Sequence, residues 1–167
     1  LSPKQFCDVG LVQEVTRILR QCRMPAHQLN LEITETVLMA NALNAQNILN
    51  RLKALGVGLS LDDFGTGYSS LGNLHQFPVD TFKIDRSFIN RLDRDKKTGD
   101  MIQMILALAQ ALETEVIAEG VENVEQVKRL RALGCRLAQG YYYARPLGVR
   151  DMESYLKPAG GRLRLLA

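Results

Sequence analysis

Only three cysteines and two histidines occur among the 167 residues. Cys7, Cys22 and Cys135 are odd in number and include no Cys-x-x-Cys pair, which argues against a disulfide framework and against a zinc site. They read as reduced, mostly core thiols of a cytosolic protein. His27 and His75 stand alone, with no partner at helical or hairpin spacing, so they read as surface or capping residues and no Ser-His-Asp arrangement is there to pursue. No apolar run approaches the roughly 20 residues that span a bilayer, so no membrane segment is expected. Nor is there a basic run. The formal net charge is +3, most Lys and Arg read as solvated surface, and duplex DNA or RNA is not an expected partner. The opening Leu1-Ser-Pro-Lys-Gln-Phe6 resembles no signal peptide and lacks an initiator Met, so the chain is expected to be an excised piece of a longer protein.

What remains is an ordinary globular composition, 46% hydrophobic and 23% charged, in a chain long enough for one domain with a substantial core. Short apolar runs alternate with longer amphipathic ones. The expected strands are Leu29–Ile33, Val57–Leu61, Thr81–Ile84, Glu115–Ala118 and Arg136–Ala138. Between them, Val12, Val15, Ile18, Leu19 and Cys22 recur at helical spacing before Pro25. Leu43, Ile48, Leu49, Leu52 and Leu55 do so before a capping Gly56, and Met101, Ile102, Ile105, Leu106, Ala109 and Leu112 form a third stripe. Asn123 is placed to cap a fourth helix, with Gln126 three residues on, Val127 and Leu130 facing inward, and Gly134 at its end. A short helix is expected from about Arg150.

This alternation predicts parallel strands joined by right-handed crossovers, an α/β fold. Each expected strand also ends on a polar group: Glu32 and Glu35, Asp62 and Asp63, Lys83 and Asp85, Glu119 and Glu122, then Gln139. An open doubly wound sheet would use only one or two such ends, whereas a (β/α) barrel gathers all of them at its top face. A TIM-like (β/α)8 barrel is therefore expected. A whole barrel takes about 250 residues, so about five βα units are present and the remaining strands are expected upstream of Leu1.

Asp62 and Asp63 are adjacent like charges at the tip of an apolar run, a costly arrangement unless a cation neutralises it, and carboxylate oxygens suit magnesium, manganese or calcium. Glu32, Asp62, Asp63 and Glu119 are candidate ligands for one or two divalent ions, a setting suited to in-line hydrolysis of phosphate esters. Lys83 is a candidate to hold the attacking water or offset phosphoryl charge, and Glu119 to act as its base or as a further ligand. Gln139 is a candidate to hold a water or a substrate oxygen. Gly65-Thr66-Gly67 permits a tight turn beside these groups, and Glu35 is the likeliest acid to hold the hydroxyls of Thr66, Ser69 and Ser70. Asp63-Phe-Gly65 lacks the companion motifs of a protein kinase, and Gly65-x-Gly67 lacks the third glycine of a dinucleotide fingerprint. Tyr141-Tyr-Tyr143 reads as rim packing ahead of base stacking.

Five linked segments carry a family resemblance: Leu31-Glu-Ile-Thr-Glu35, Leu61-Asp-Asp-Phe-Gly-Thr-Gly-Tyr-Ser-Ser-Leu71, Phe82-Lys-Ile-Asp-Arg-Ser-Phe88, Ile117-Ala-Glu-Gly-Val-Glu122 and Gln139-Gly-Tyr141. In order and spacing they closely resemble the EAL-domain cyclic-di-GMP phosphodiesterases of bacteria. The resemblance implies a barrel of that type with strands 4 to 8 and their helices in residues 1–157, followed by a tail over 158–167. It implies hydrolysis of cyclic di-GMP to linear pGpG with Mg2+ or Mn2+ at a two-metal site. Glu32 and Asp62 resemble ligands of the first metal, and Asp62 and Asp63 those of the second. Lys83 resembles the residue that holds the water, and Glu119 a base or metal ligand. Glu35 resembles the acid that steadies the loop through Phe64–Leu71, a loop also linked to dimerisation in the family, while Glu122, Gln139 and Thr66 match positions near the site. The partners implied are cyclic di-GMP, a second copy of the chain, and other signalling domains, in the bacterial cytoplasm. The namesake Glu-Ala-Leu motif does not occur in these residues, and the Asn that precedes Leu-Ser in the family would fall just before Leu1. Two metal ligands are thus absent, and little hydrolysis is expected of this chain by itself. The alternative is a non-catalytic module that binds the nucleotide or docks to partners.

Overall fold

The computed structural model describes residues 1–6, 8–40, 42–66 and 74–156. Ser69, Ser70, Gly67 and Cys7, on which parts of the sequence reading fall, lie outside them, as does the expected tail. The described elements, in chain order, are α1 (Pro3–Phe6), α2 (Leu11–Cys22), a 3-10 turn (Ala26–Gln28), β1 (Asn30–Thr34), α3 (Glu35–Ala40), α4 (Ala42–Ala54), β2 (Gly58–Phe64) and β3 (Thr81–Ile84). They continue with α5 (Arg86–Arg91), α6 (Lys96–Ala111), β4 (Glu115–Ala118), α7 (Val124–Ala132), β5 (Leu137–Ala138) and α8 (Val149–Leu156). The strands form a sheet in the sequential order β1-β2-β3-β4-β5. The pairs β1–β2 and β4–β5 are parallel, so the α/β expectation holds.

Register places the polar groups. Asn30 lies opposite Gly58, Glu32 opposite Ser60, and Thr34 opposite Asp62. Side chains alternate along a strand, so Asn30, Glu32 and Thr34 share a face with Ser60 and Asp62. The other face carries Ile33, Leu59 and Leu61, each at most 1% exposed. On the polar face Asn30 Nδ2 donates to Ser60 Oγ over 2.8 Å, which satisfies a hydroxyl that would otherwise be buried unpaired. Both strands end later than expected: β1 at Thr34 instead of Ile33, and β2 at Phe64, which takes Asp62 and Asp63 inside it.

The residues divide into two compact units. The first comprises Leu1–Lys83 with Leu108–Glu115, and the second Ile84–Ala107 with Val116–Ala167. In the first, Asp80 ties together the edge of the sheet where β2 and β3 begin. Its backbone N–H donates to the Leu59 carbonyl over 2.8 Å, and its own carbonyl accepts from Glu115 N–H over 2.9 Å. Its carboxylate accepts from Leu59 N–H over 2.8 Å and from Lys53 Nζ over 2.6 Å. In the second, Glu119 N–H donates to the Ile84 carbonyl over 3.1 Å and Gln139 N–H to the Ala118 carbonyl over 2.8 Å.

The helical stripes are displaced from the expected ones by a residue or two. In α2 the buried side is Leu11, Val12, Val15 and Leu19, so Ile18 falls on the flank at 43% exposure. Cys22 ends that helix exposed and is not a core thiol, whereas Cys135 is buried. Leu43, in the first turn of α4, is 82% exposed while Ala45, Ile48, Leu49 and Leu52 face inward. Met101 lies beside the inward residues Ile102, Ile105 and Ala109 of α6 and is 41% exposed.

Asn123 caps α7 as its sequence predicts. Its side chain accepts from Gln126 N–H over 2.9 Å, closing a reciprocal capping box. Gln126 does more than the motif requires. It is 4% exposed, its Oε1 accepts from the N–H groups of Glu122 (2.8 Å) and Asn123 (3.3 Å), and its Nε2 donates to the Ile89 carbonyl over 3.3 Å. Gln126→Ala leaves those groups unsatisfied, and we expect a loss of about 2–3 kcal/mol in a urea melt. A loss within 0.5 kcal/mol, on the order of an ordinary surface substitution, would contradict this role.

Candidate functional site

In the first unit two of the candidate acids, Glu32 and Asp62, come together with Lys83. Lys83 is 5% exposed, and its Nζ lies 2.6 Å from Glu32 Oε1 and 3.2 Å from Asp62 Oδ1. A buried ammonium is costly unless paired, and these two carboxylates pair it. Asp62 Oδ1 is itself buried and makes no aligned hydrogen bond, so its contact with the ammonium is coulombic. In the same strands Phe64 and Phe82 stack with ring centroids 4.7 Å apart and planes 14° from parallel. Both rings are buried, which anchors β2 and β3 to the core.

Backbone conformation turns the chain sharply after Asp62. Asp63 has φ +55° and Gly65 φ +92°. The first is a left-handed conformation that Asp tolerates better than most residues; the second is open to glycine. Thr66 closes the turn on Asp63, its Oγ1 donating to the Asp63 carbonyl over 2.8 Å and its N–H over 3.3 Å. The Thr66 hydroxyl therefore does not go to Glu35. Glu35, 3% exposed, instead accepts the Gly65 N–H at Oε2 over 3.3 Å, while its Oε1 is buried with no hydrogen-bond partner. It opens α3, an element that the sequence reading did not anticipate.

In the second unit Gln139 Nε2 donates to Glu119 Oε1 over 2.5 Å. Their two loops are stitched through the backbone: Val121 N–H donates to the Gln139 carbonyl over 3.0 Å, and Tyr142 N–H to the Val121 carbonyl over 2.9 Å. The approach is so close that a Cβ at Gly140 would stand 2.2 Å from the Val121 oxygen, and one at Gly120 2.6 Å from Arg86 Cβ. Neither glycine was singled out from the sequence, since what makes them necessary is a neighbour from another segment or loop: the Val121 backbone for Gly140 and Arg86 Cβ for Gly120. Glu122 is exposed, and its N–H is held by Gln126. Asp85, which follows β3, caps α5 by accepting the Ser87 N–H over 2.9 Å. Partial burial works to raise its carboxyl, but the hydrogen bonds from Ser87 and Arg86 outweigh that and hold it below the usual carboxylate range. Arg145 lies 4.8 Å over the Tyr141 ring, so Tyr141 faces a cation.

The donor set consists of hard carboxylate oxygens, the kind that divalent cations take. Glu32 and Asp62 converge on one cationic atom, and Asp62 keeps a buried oxygen without an aligned donor. Among the described residues no group of three or more His, Cys, Asp or Glu is gathered to hold a metal. A pair of carboxylates still suits Mg2+, which usually keeps several waters and takes one or two carboxylates together with substrate phosphate. No helix of the described residues is long and apolar enough to cross a membrane.

Known proteins resemble this chain in sequence and fold. The cyclic di-GMP phosphodiesterase NbdA of Pseudomonas aeruginosa is 46% identical over 148 residues, 89% of this chain and 19% of NbdA. The solved MucR phosphodiesterase of P. aeruginosa, in complex with c-di-GMP, superposes with a TM-score of 0.88 at 41% identity, covering 91% of this chain and 62% of that one. Klebsiella pneumoniae BlrP1, solved as a manganese/c-di-GMP complex, gives a TM-score of 0.81 at 28% identity over 87% of this chain and 38% of its own. The chain thus spans about a fifth of the length of NbdA. The profile of the EAL domain matches residues 1–146, and on that match, its relatives and its α/β fold, the chain belongs to the EAL domain family.

Proposed function

We propose that these residues form part of a metal-dependent phosphodiesterase that opens cyclic di-GMP to linear pGpG. The observation that carries the reading is the Lys83 ammonium held between Glu32 and Asp62, with Asp63 beside them in a left-handed turn. It is supported by relatives that are cyclic di-GMP phosphodiesterases and by a related domain solved with manganese and the nucleotide. In this reading Glu32, Asp62 and Asp63 hold Mg2+ or Mn2+ in a two-metal site, with Glu119 as a further ligand or as the base. The ions supply Lewis-acid polarisation of a phosphoryl oxygen and a more acidic water.

The chain's own groups do the rest. Lys83 Nζ donates to the attacking water or to a phosphoryl oxygen, offsetting negative charge that grows as the water oxygen bonds to phosphorus and the bond to the leaving sugar oxygen breaks, that oxygen taking a proton from solvent. Glu119 takes the water's proton, and Gln139 fixes the carboxylate that does so. Glu35 holds the turn that follows Asp63 through the Gly65 amide. Residues 1–157 act as the domain and 158–167 as a tail. Cyclic di-GMP, a second copy of the chain and signalling domains elsewhere in a longer protein are its partners, in the bacterial cytoplasm.

A second reading has one observation in its favour: no three metal-binding side chains are gathered among the described residues. In that reading the chain binds cyclic di-GMP without cleaving it, or docks to a protein partner. Conversion of cyclic di-GMP to pGpG with Mn2+, followed by chromatography for this chain and for the chain extended upstream through a Glu-Ala-Leu motif, separates the two. We expect turnover by the extended protein and little by the shorter one. Binding without turnover in the extended protein would establish the receptor reading.

A further inference from the structure

Glu32 and Asp62 stand on neighbouring strands, and both direct an oxygen at the Lys83 ammonium, at 2.6 and 3.2 Å. Lys83 sits between Phe82 and Ile84, both fully buried, so its ammonium reaches this position from a strand with little freedom to shift. The same two carboxylates are the hard oxygen donors that a divalent cation would take. We propose that Lys83 competes with the divalent cation for Glu32 and Asp62 and so sets the metal affinity of the site. This rests on the metal-dependent reading above, and adds to it a second task for a residue already facing the reaction.

The physical basis is local charge. Two carboxylates carry two negative charges, and the ammonium cancels one of them, leaving one for an incoming dication to meet. An arriving ion then also repels the ammonium, which is buried although the Glu32 side chain beside it is half exposed. Metal entry therefore costs at least part of the 2.6 Å ion pair. With Lys83 replaced by an uncharged side chain of similar length, both carboxylates are open to the metal.

Titrating the protein extended upstream through a Glu-Ala-Leu motif with Mn2+, with free ion followed by electron paramagnetic resonance, tests this without any turnover. We expect Lys83→Met to bind Mn2+ about tenfold more tightly than the unsubstituted protein, the fold-change that corresponds to about 1.4 kcal/mol. Equal or weaker binding by Lys83→Met, with the unsubstituted protein binding normally, overturns the competition alone. No Mn2+ binding by either protein overturns it together with the metal reading. Should the variant not fold, the unsubstituted protein answers: the 15N resonance of the Lys83 ammonium should shift in step with Mg2+ occupancy. A resonance unmoved at saturation overturns the proposal.

Discussion

Gly140→Ala is expected to cost more than about 3 kcal/mol, or to prevent folding, through backbone overlap. The added Cβ would lie 2.2 Å from the Val121 oxygen and 2.3 Å from its nitrogen. Neither atom is the end of a flexible side chain. Both belong to the segment that donates to the Gln139 carbonyl and accepts from Tyr142 N–H, so relief means opening the stitched loops. Gly134 supplies the control. It has φ +89° and no heavy atom within 4 Å of a built Cβ. Gly134→Ala therefore measures the conformational cost by itself, about 1 kcal/mol. Chemical denaturation of the two variants should separate them by at least about 2 kcal/mol; similar losses would mean that the close approach at Val121 relaxes easily.

Glu119→Gln should lower turnover of cyclic di-GMP by about 10²- to 10⁴-fold, the range of a positioned general base, in a protein extended far enough to turn the substrate over. The substitution preserves shape, and Gln139 Nε2, 2.5 Å from Glu119 Oε1, can donate to the new amide oxygen as it does to the carboxylate. Stability should thus change little, which separates a chemical loss from a folding one. Raising Mn2+ then distinguishes the two roles proposed for this residue. A base cannot be replaced by excess metal, whereas a weakened ligand set recovers as the ion is raised. Unchanged turnover at ordinary Mn2+ would remove Glu119 from the chemistry.

Much of this was legible in the residues, and the rest for definite reasons was not. The spans Thr81–Ile84 and Glu115–Ala118 match their strands end to end, because each is a short apolar run bounded by turn signals. The α7 cap was written in Asn123 and Gln126. The helices α3 and α5 escaped notice at six residues each, too short to show a repeating apolar face. Ile18, Leu43 and Met101 fit a helical period but fall at the flank of a buried face, since period alone leaves the centre of that face undetermined. At the site, strand rhythm put Glu32, Asp62 and Lys83 at one edge. That Lys83 is clasped by both carboxylates follows only from strand register. The tight passage of Gly140 past Val121 likewise depends on two loops meeting, which neither loop's residues disclose.

The sequential strand order has a consequence for how the chain comes into being. With β1-β2-β3-β4-β5 neighbours in the sheet as they are in the sequence, each of β2 to β5 leaving the ribosome finds a described partner already made. Among the described residues none of these four must wait for a distant segment, as it would in a sheet whose order is shuffled, so their pairing can keep pace with synthesis. The polar face assembles in the same order. Glu32 emerges first, Asp62 next, and Lys83 only with the third strand. Until then the nascent chain carries two neighbouring acids without their internal counter-ion, and β3 brings both the apolar side chains that deepen the core and the charge that settles it.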